Sequence, residues 1–192
     1  MDLLDLADWR ERVAGLYLSD LDLEGFRQAK DELFATHPQS PVEPAGFTGL
    51  HYFPPASEFI VEVALEAAEG SMEIDTGSTD GVVTYTRAGV AQTPFGPLTL
   101  WWLAAYGGGL FLPFRDSTCS TDSYGGGRYL TDTVKGTFGR GVTVLGPAAV
   151  RLDFNYAYNP SCAYSPQWSC PLAPAESQLG QPIAAGEKRW KI

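Results

Sequence analysis

Basic side chains are scarce in this chain. Thirteen Lys and Arg stand against 23 Asp and Glu in 192 residues, a formal net charge of -10. Nucleic-acid affinity rests on basic groups that displace counterions, so this balance argues against nucleic acid and against an anionic membrane surface as partners. The one basic cluster, Lys188-Arg189-Trp190-Lys191, reads as a solvated end. Long apolar runs are missing too. The longest, residues 98–106, is strand-length, short of the ~20 residues a membrane-spanning helix needs. The start, Met1-Asp2-Leu3-Leu4-Asp5-Leu6-Ala7-Asp8, is interrupted by three aspartates, which is unlike a secretory leader. Cysteine is rare and odd in number, at 3, so a complete disulfide framework is excluded and a reducing, cytoplasmic setting is expected. Histidine is rarer still, only His37 and His51, both far upstream of the cysteines, which leaves a thiol nucleophile without an adjacent base.

Glycine and proline are plentiful, at 21 and 14, and aromatic residues reach 12%, as expected of strands joined by tight turns. The length suits a single domain spanning 1–192, with a helical segment over 1–36, a β-rich core over 47–158 and an irregular wrap over 159–192. Leu6, Trp9, Val13, Leu16 and Tyr17 recur at helical spacing. Asp20 or Asp22 can cap a second helix whose stripe is Leu23, Phe26, Ala29, Leu33 and Phe34, with Arg27, Lys30 and Asp31 facing out. The two form a helical hairpin. His37-Pro38-Gln39-Ser40-Pro41 ends it, because proline cannot continue a helix.

From about Phe47 the period becomes that of strands. In 59–66, Phe59, Val61, Val63 and Leu65 face a core while Ile60, Glu62, Ala64 and Glu66 face away. Further runs lie at 72–75, 82–87, 89–93, 98–105, 110–114, 128–130, 134–137, 142–145 and 149–158, punctuated by groups such as Thr79-Asp80-Gly81. Strands this regular without intervening helices predict a mainly β (α+β) fold, an antiparallel barrel or sandwich. The tail beyond Tyr158 carries five prolines and little periodicity. It is a long loop of a kind that is functional or that wraps the barrel.

Strong polar chemistry gathers between Arg115 and Cys170. As a strand, 149–158 puts Leu152, Phe154, Tyr156 and Tyr158 on one face and Arg151, Asp153 and Asn155, continuing to Asn159, on the other. That polar face is either solvent surface or the lining of a barrel mouth. Tyr124-Gly125-Gly126-Gly127-Arg128 allows close backbone approach, yet it lacks the lysine and serine of a nucleotide loop, and no cofactor is expected. Arg115 and Arg128 can hold a ligand carboxylate, or an internal partner such as Asp116 or Asp153. Cys162 and Cys170 are separated by seven residues, outside the common zinc spacing. They read as buried inert thiols, as weak metal ligands with Cys119 and His51, or as a disulfide under oxidant.

These segments resemble an uncharacterised bacterial and archaeal family, domain-of-unknown-function family 1684. The likeness is carried by Phe114-Arg115-Asp116, by Tyr124 to Leu130, by Asp153-Phe154-Asn155-Tyr156-Ala157-Tyr158-Asn159-Pro160-Ser161-Cys162-Ala163-Tyr164, by Cys170-Pro171-Leu172-Ala173-Pro174-Ala175-Glu176 and by Ala185-Gly186-Glu187-Lys188. It runs from about Trp9 to Lys188. Cys119 departs from the family pattern, which turns attention to Cys162 and Cys170. The resemblance implies no activity.

Two principal readings follow. In the first, a β-barrel-like domain binds a small polar molecule through Arg115, Asp116, Tyr124, Arg128, Asp153, Asn155, Asn159 and Tyr164. A hydrolase version would use Asp116 or Asp153 as general base. In the second, the same residues anchor the C-terminal loop and there is no pocket. A third, a metal or redox site, rests on Cys162 and Cys170. The oligomeric state is open, since Trp101, Trp102 and Trp168 suit either a dimer face or a core.

Overall fold

The computed structural model describes residues 2–75 and 81–190. The Thr79-Asp80 part of the turn expected before Gly81, and Lys191 of the basic tail, lie outside these residues. Helix α1 (Leu3–Leu18) starts where the Asp2 carboxylate accepts the Leu4 N–H at 2.9 Å, and α2 (Leu23–Thr36) where Asp22 accepts the Gly25 N–H at 2.8 Å. Of the two candidate caps, Asp22 is the one used. The hairpin closes on Tyr17 and Phe26, whose rings meet edge to face at 5.0 Å. One expectation fails here. Lys30 does not face out: it shares the buried stripe with Phe26 and Phe34, the residues four before and four after it. Arg27 also turns inward, stacking on the Tyr52 ring at 4.5 Å.

Beyond the hairpin the chain forms an antiparallel sheet curled into a half-barrel, so the molecule is mainly β with helices at one end. Its strands are β1 (Ile60–Glu66), β2 (Ser71–Asp75), β3 (Val82–Thr93), β4 (Gly96–Leu103), β5 (Leu110–Phe114), β6 (Arg128–Asp132), β7 (Val142–Gly146) and β8 (Ala149–Asp153). They lie in the order β6-β5-β4-β3-β1-β8-β7, and β2 pairs with the first half of β3. The two runs expected at 82–87 and 89–93 are one strand bent by a bulge between Arg87 and Gly89. That bend lets β2 and β1 share one edge of β3. The concave face holds the main core, with Leu98, Leu112, Phe114, Leu130, Leu152 and Phe154 without solvent contact. Alternate residues of the same strands, Tyr85, Trp101, Phe111 and Tyr129, build an aromatic cluster on the other face. Trp101 is therefore core, whereas Trp102 is exposed and Trp168 is half-buried.

Two expected strands are corrected. Residues 134–137 begin inside a 3-10 turn, Thr133–Lys135, instead of a strand. Strand 149–158 stops at Asp153, because the Asp153 carboxylate accepts the Asn155 N–H at 3.1 Å and its side-chain Nδ2–H at 3.0 Å. Such local bonds compete with the strand ladder, and a 3-10 turn, Phe154–Tyr156, follows. The shared polar face assigned to Arg151, Asp153, Asn155 and Asn159 is thus broken after its second member. No helix among the described residues is long and apolar enough to cross a membrane.

The open end of the half-barrel is narrowed by Gly141. A Cβ at this position would lie 2.0 Å from the Leu130 carbonyl oxygen, so the residue just before β7 lies against β6 with no room for a side chain. Gly141→Ala is expected to destabilise the fold by about 1–3 kcal/mol, the usual cost of overpacking. Gly146→Ala, at a position whose Cβ would meet nothing within 4 Å, should stay near wild type. Urea denaturation of the two variants checks the contrast, and equal losses would remove this account of the open edge.

Candidate functional site

Arg128 opens β6 and is completely buried. Its Nη1 donates to the carbonyls of Ala185 and Glu187, and its Nη2 donates to Ile183 O at 2.8 Å and to Asp116 Oδ1 at 3.4 Å. Asp116 completes the arrangement by accepting the Ile183 N–H at 2.6 Å and the Thr118 hydroxyl at 2.9 Å. Burial pulls the Arg128 pKa down and the facing Asp116 carboxylate opposes that shift. The preceding Gly127 adopts φ +93°, and a Cβ there would sit 2.6 Å from Phe114 O, so the chain can turn into β6 at this point only with glycine. The arginine and carboxylate therefore grip residues 183–187 of the C-terminal segment.

That grip presents Glu187, which is 1% exposed, to the rest of the molecule. Its Oε1 accepts from Lys30 Nζ at 2.6 Å. Its Oε2 accepts the Asn159 N–H at 2.9 Å and the Tyr164 hydroxyl. Asn159 Nδ2 donates to Lys188 O at 2.7 Å, while the Lys30 ammonium also lies over the Phe34 and Tyr158 rings at 5.3 and 5.0 Å. One carboxylate thus joins α2, the chain after β8 and the C-terminal segment.

Above this junction, between the hairpin and the sheet, lies a pocket of about 70 Å³ that is partly open to solvent. Trp9, Tyr17, Phe34, Tyr129, Tyr158 and Tyr164 supply its aromatic wall, and Lys30, Lys135 and Asn159 its polar groups. Tyr158 shares a hydrogen bond with Thr137 at 3.1 Å. The Tyr17 hydroxyl and Asn159 Oδ1 are buried without a hydrogen-bond partner. Burial raises the pKa values of Tyr17 and Tyr158, so both present neutral phenols.

The eight residues singled out from the sequence fall in separate places. Asn159 and Tyr164 line this cavity. Arg128 and Asp116 form the internal grip. Half-buried Arg115 joins the tail through its backbone, donating to Ser177 O and accepting from Leu179 N. Asp153 and Asn155 border a different cleft with Pro55 and Ile60, where Asn155 brackets the backbone of Ala56 with two hydrogen bonds of 2.9 and 3.0 Å. Tyr124 donates to Cys162 Sγ at 3.8 Å. Sequence reasoning missed Tyr17, Lys30, Lys135, Tyr158 and Glu187 as site residues. Lys30 carried a signal, its four-residue spacing from Phe26 and Phe34. Glu187 stood inside a quoted motif without an assigned role.

Breaking a buried ion pair leaves an uncompensated charge, at a typical cost of about 3–5 kcal/mol. Glu187→Gln and Lys30→Met should each lose stability on this scale. The double variant should lose less than the sum by about 0.5–3 kcal/mol, the range for residues in contact. Urea denaturation across the four proteins measures this, and strictly additive losses would mean the pair contributes nothing.

Among the described residues, no three His, Cys, Asp or Glu side chains gather as a metal site. No curated protein matches the chain. Among solved structures it is similar to an uncharacterised protein of Haloarcula marismortui, determined by solution NMR. Identity is 34% and the TM-score 0.59, covering 86% of this chain and 91% of that one. A family model described as a protein of unknown function, DUF1684, matches residues 45–188, so the match begins after the hairpin instead of near Trp9. The chain belongs to that family, the DUF1684 proteins of unknown function.

Proposed function

We propose that the chain binds a small molecule in the cavity between the helical hairpin and the sheet. The observation that carries this reading is the pair of buried groups without hydrogen-bond partners, the Tyr17 hydroxyl and Asn159 Oδ1, on residues that line an aromatic-walled space. Buried polar groups are ordinarily paired, and a ligand that supplies a partner removes the cost of leaving them unmade. The wall favours a flat, largely apolar body. Lys135, held only at 4.0 Å from Asp132 and partly exposed, favours one anionic group on that body.

Binding is favoured over hydrolysis. The carboxylate of Asp116, one candidate general base, is occupied by Ile183, Thr118 and Arg128, and that of Asp153 by Asn155 and Arg151. The polar motif instead supports the anchoring role weighed from the sequence, and the two roles are compatible: the anchor fixes Asn159 and Tyr164, which border the cavity. The reading places the protein in the reducing cytoplasm, in keeping with three free thiols.

The aromatic sulfonate 1-anilinonaphthalene-8-sulfonate, with its flat rings and one negative charge, is a suitable probe of the space. It should bind saturably at one site on the folded protein. Leu16→Trp, which fills the cavity from α1, should weaken binding by about tenfold or more, a loss of roughly 1.4 kcal/mol. Dye affinity unchanged in a folded Leu16→Trp protein, or binding without saturation, would sink the proposal.

A further inference from the structure

Cys162 and Cys170 lie together on the loop that runs from the cavity wall. The 3-10 turn Ser161–Ala163 aims the Cys162 N–H at Cys170 Sγ, 3.4 Å away. Tyr124 O–H donates to Cys162 Sγ at 3.8 Å. On the far side the Tyr129 hydroxyl donates to the carbonyl of Pro171, next to Cys170, and holds the loop to the sheet. Both cysteines are free and only half-buried. Cys119 stands apart, hydrogen-bonded to Asp116 and Ser123.

We propose that Cys162 and Cys170 form a reversible dithiol–disulfide couple, in which Cys170 attacks a hydroperoxide and Cys162 resolves the oxidised sulfur. The Cys170 thiolate attacks the terminal peroxide oxygen, the O–O bond breaks, and the departing alkoxide or hydroxide takes up a proton. The product at Cys170 is a sulfenic acid. The Cys162 sulfur then attacks Cys170 sulfur: the S–S bond forms, the S–O bond breaks, and hydroxide leaves as water with the Cys162 proton. Two thiols are oxidised by two electrons and one hydroperoxide is reduced to an alcohol, or water, plus water. An external dithiol restores the pair by exchange.

The surroundings fit the roles. The Cys162 thiol, and then the Lys135 charge, hold the Cys170 pKa below the ordinary thiol value against the opposing effect of burial, while Cys162 is pushed up, first by the neighbouring Cys170 sulfur and then by burial. The titratable groups facing the pair are Lys135 from the turn after β6, Tyr129 from β6 and Tyr124 from the glycine-rich loop. A low-pKa thiolate beside a protonated partner is the arrangement of an attacking and a resolving cysteine. This inference does not depend on the cavity holding a ligand.

The test treats the native protein with hydrogen peroxide at neutral pH, following intact mass and free thiols. Wild type should lose the mass of two hydrogen atoms and fall from three free thiols to one. Peptide mapping should join Cys162 to Cys170, and dithiothreitol should reverse the change. Cys162→Ser should gain one oxygen at Cys170, trapped by dimedone, and Cys170→Ser should react about tenfold more slowly or less, since the thiolate is the nucleophile. Oxidation of Cys119 at the same rate as the pair in wild type would overturn the proposal, as would a Cys170→Ser protein oxidising at the wild-type rate.

Discussion

A carboxylate removed from water must find partners for both oxygens, and in this fold that requirement falls on Glu187. With 1% of its surface exposed, it takes an ammonium from α2, a backbone N–H from the chain after β8 and a phenol from the following turn. None of these partners is close to it in sequence. Each is satisfied only when the hairpin, the sheet and the C-terminal segment are docked together. The pairing thus acts less as a source of net stability than as a condition on how three parts of the chain assemble, since a buried ion pair roughly offsets its own desolvation while a broken one is costly.

Arg128 makes that condition achievable. Three carbonyls of residues 183–187 and the Asp116 carboxylate surround its guanidinium, so a segment with no regular secondary structure still has its backbone polar groups paired. The cavity is a consequence of the same geometry. Helix α2 is held by its lysine instead of by a fully apolar face, and the hairpin stands off the sheet far enough to leave aromatic-walled space. The thiol pair sits on the loop that borders this space through Ser161, so the redox-sensitive segment and the cavity share a wall.

Much of the architecture was legible because period and punctuation were unambiguous. Both helices, a cap at Asp20 or Asp22 for the second and the alternation of Val61, Val63 and Leu65 in β1 were readable from the sequence, whereas the Asp2 cap of α1 was not foreseen. The failures have a common physical origin. Asp153 and Asn155 fit a strand period, but their side chains bond the local backbone and end the strand. Lys30 was read as outward because it is charged, although its spacing placed it with Phe26 and Phe34. Its partner lies 157 residues away, and no local pattern encodes such a pairing. The polar residues between Arg115 and Cys170 stood out in the sequence, but type and order could not separate groups that grip the tail from groups that border a cavity.

Hydrogen–deuterium exchange on wild type and Glu187→Gln tests the central claim most directly, because the substitution keeps the side chain's shape and removes its charge. If Glu187 is the point on which assembly depends, α2, the chain over 157–164 and the segment over 183–188 lose protection together, while the strands carrying the main core keep theirs. Faster exchange confined to the immediate neighbours of residue 187, with α2 as protected as in wild type, would contradict the account.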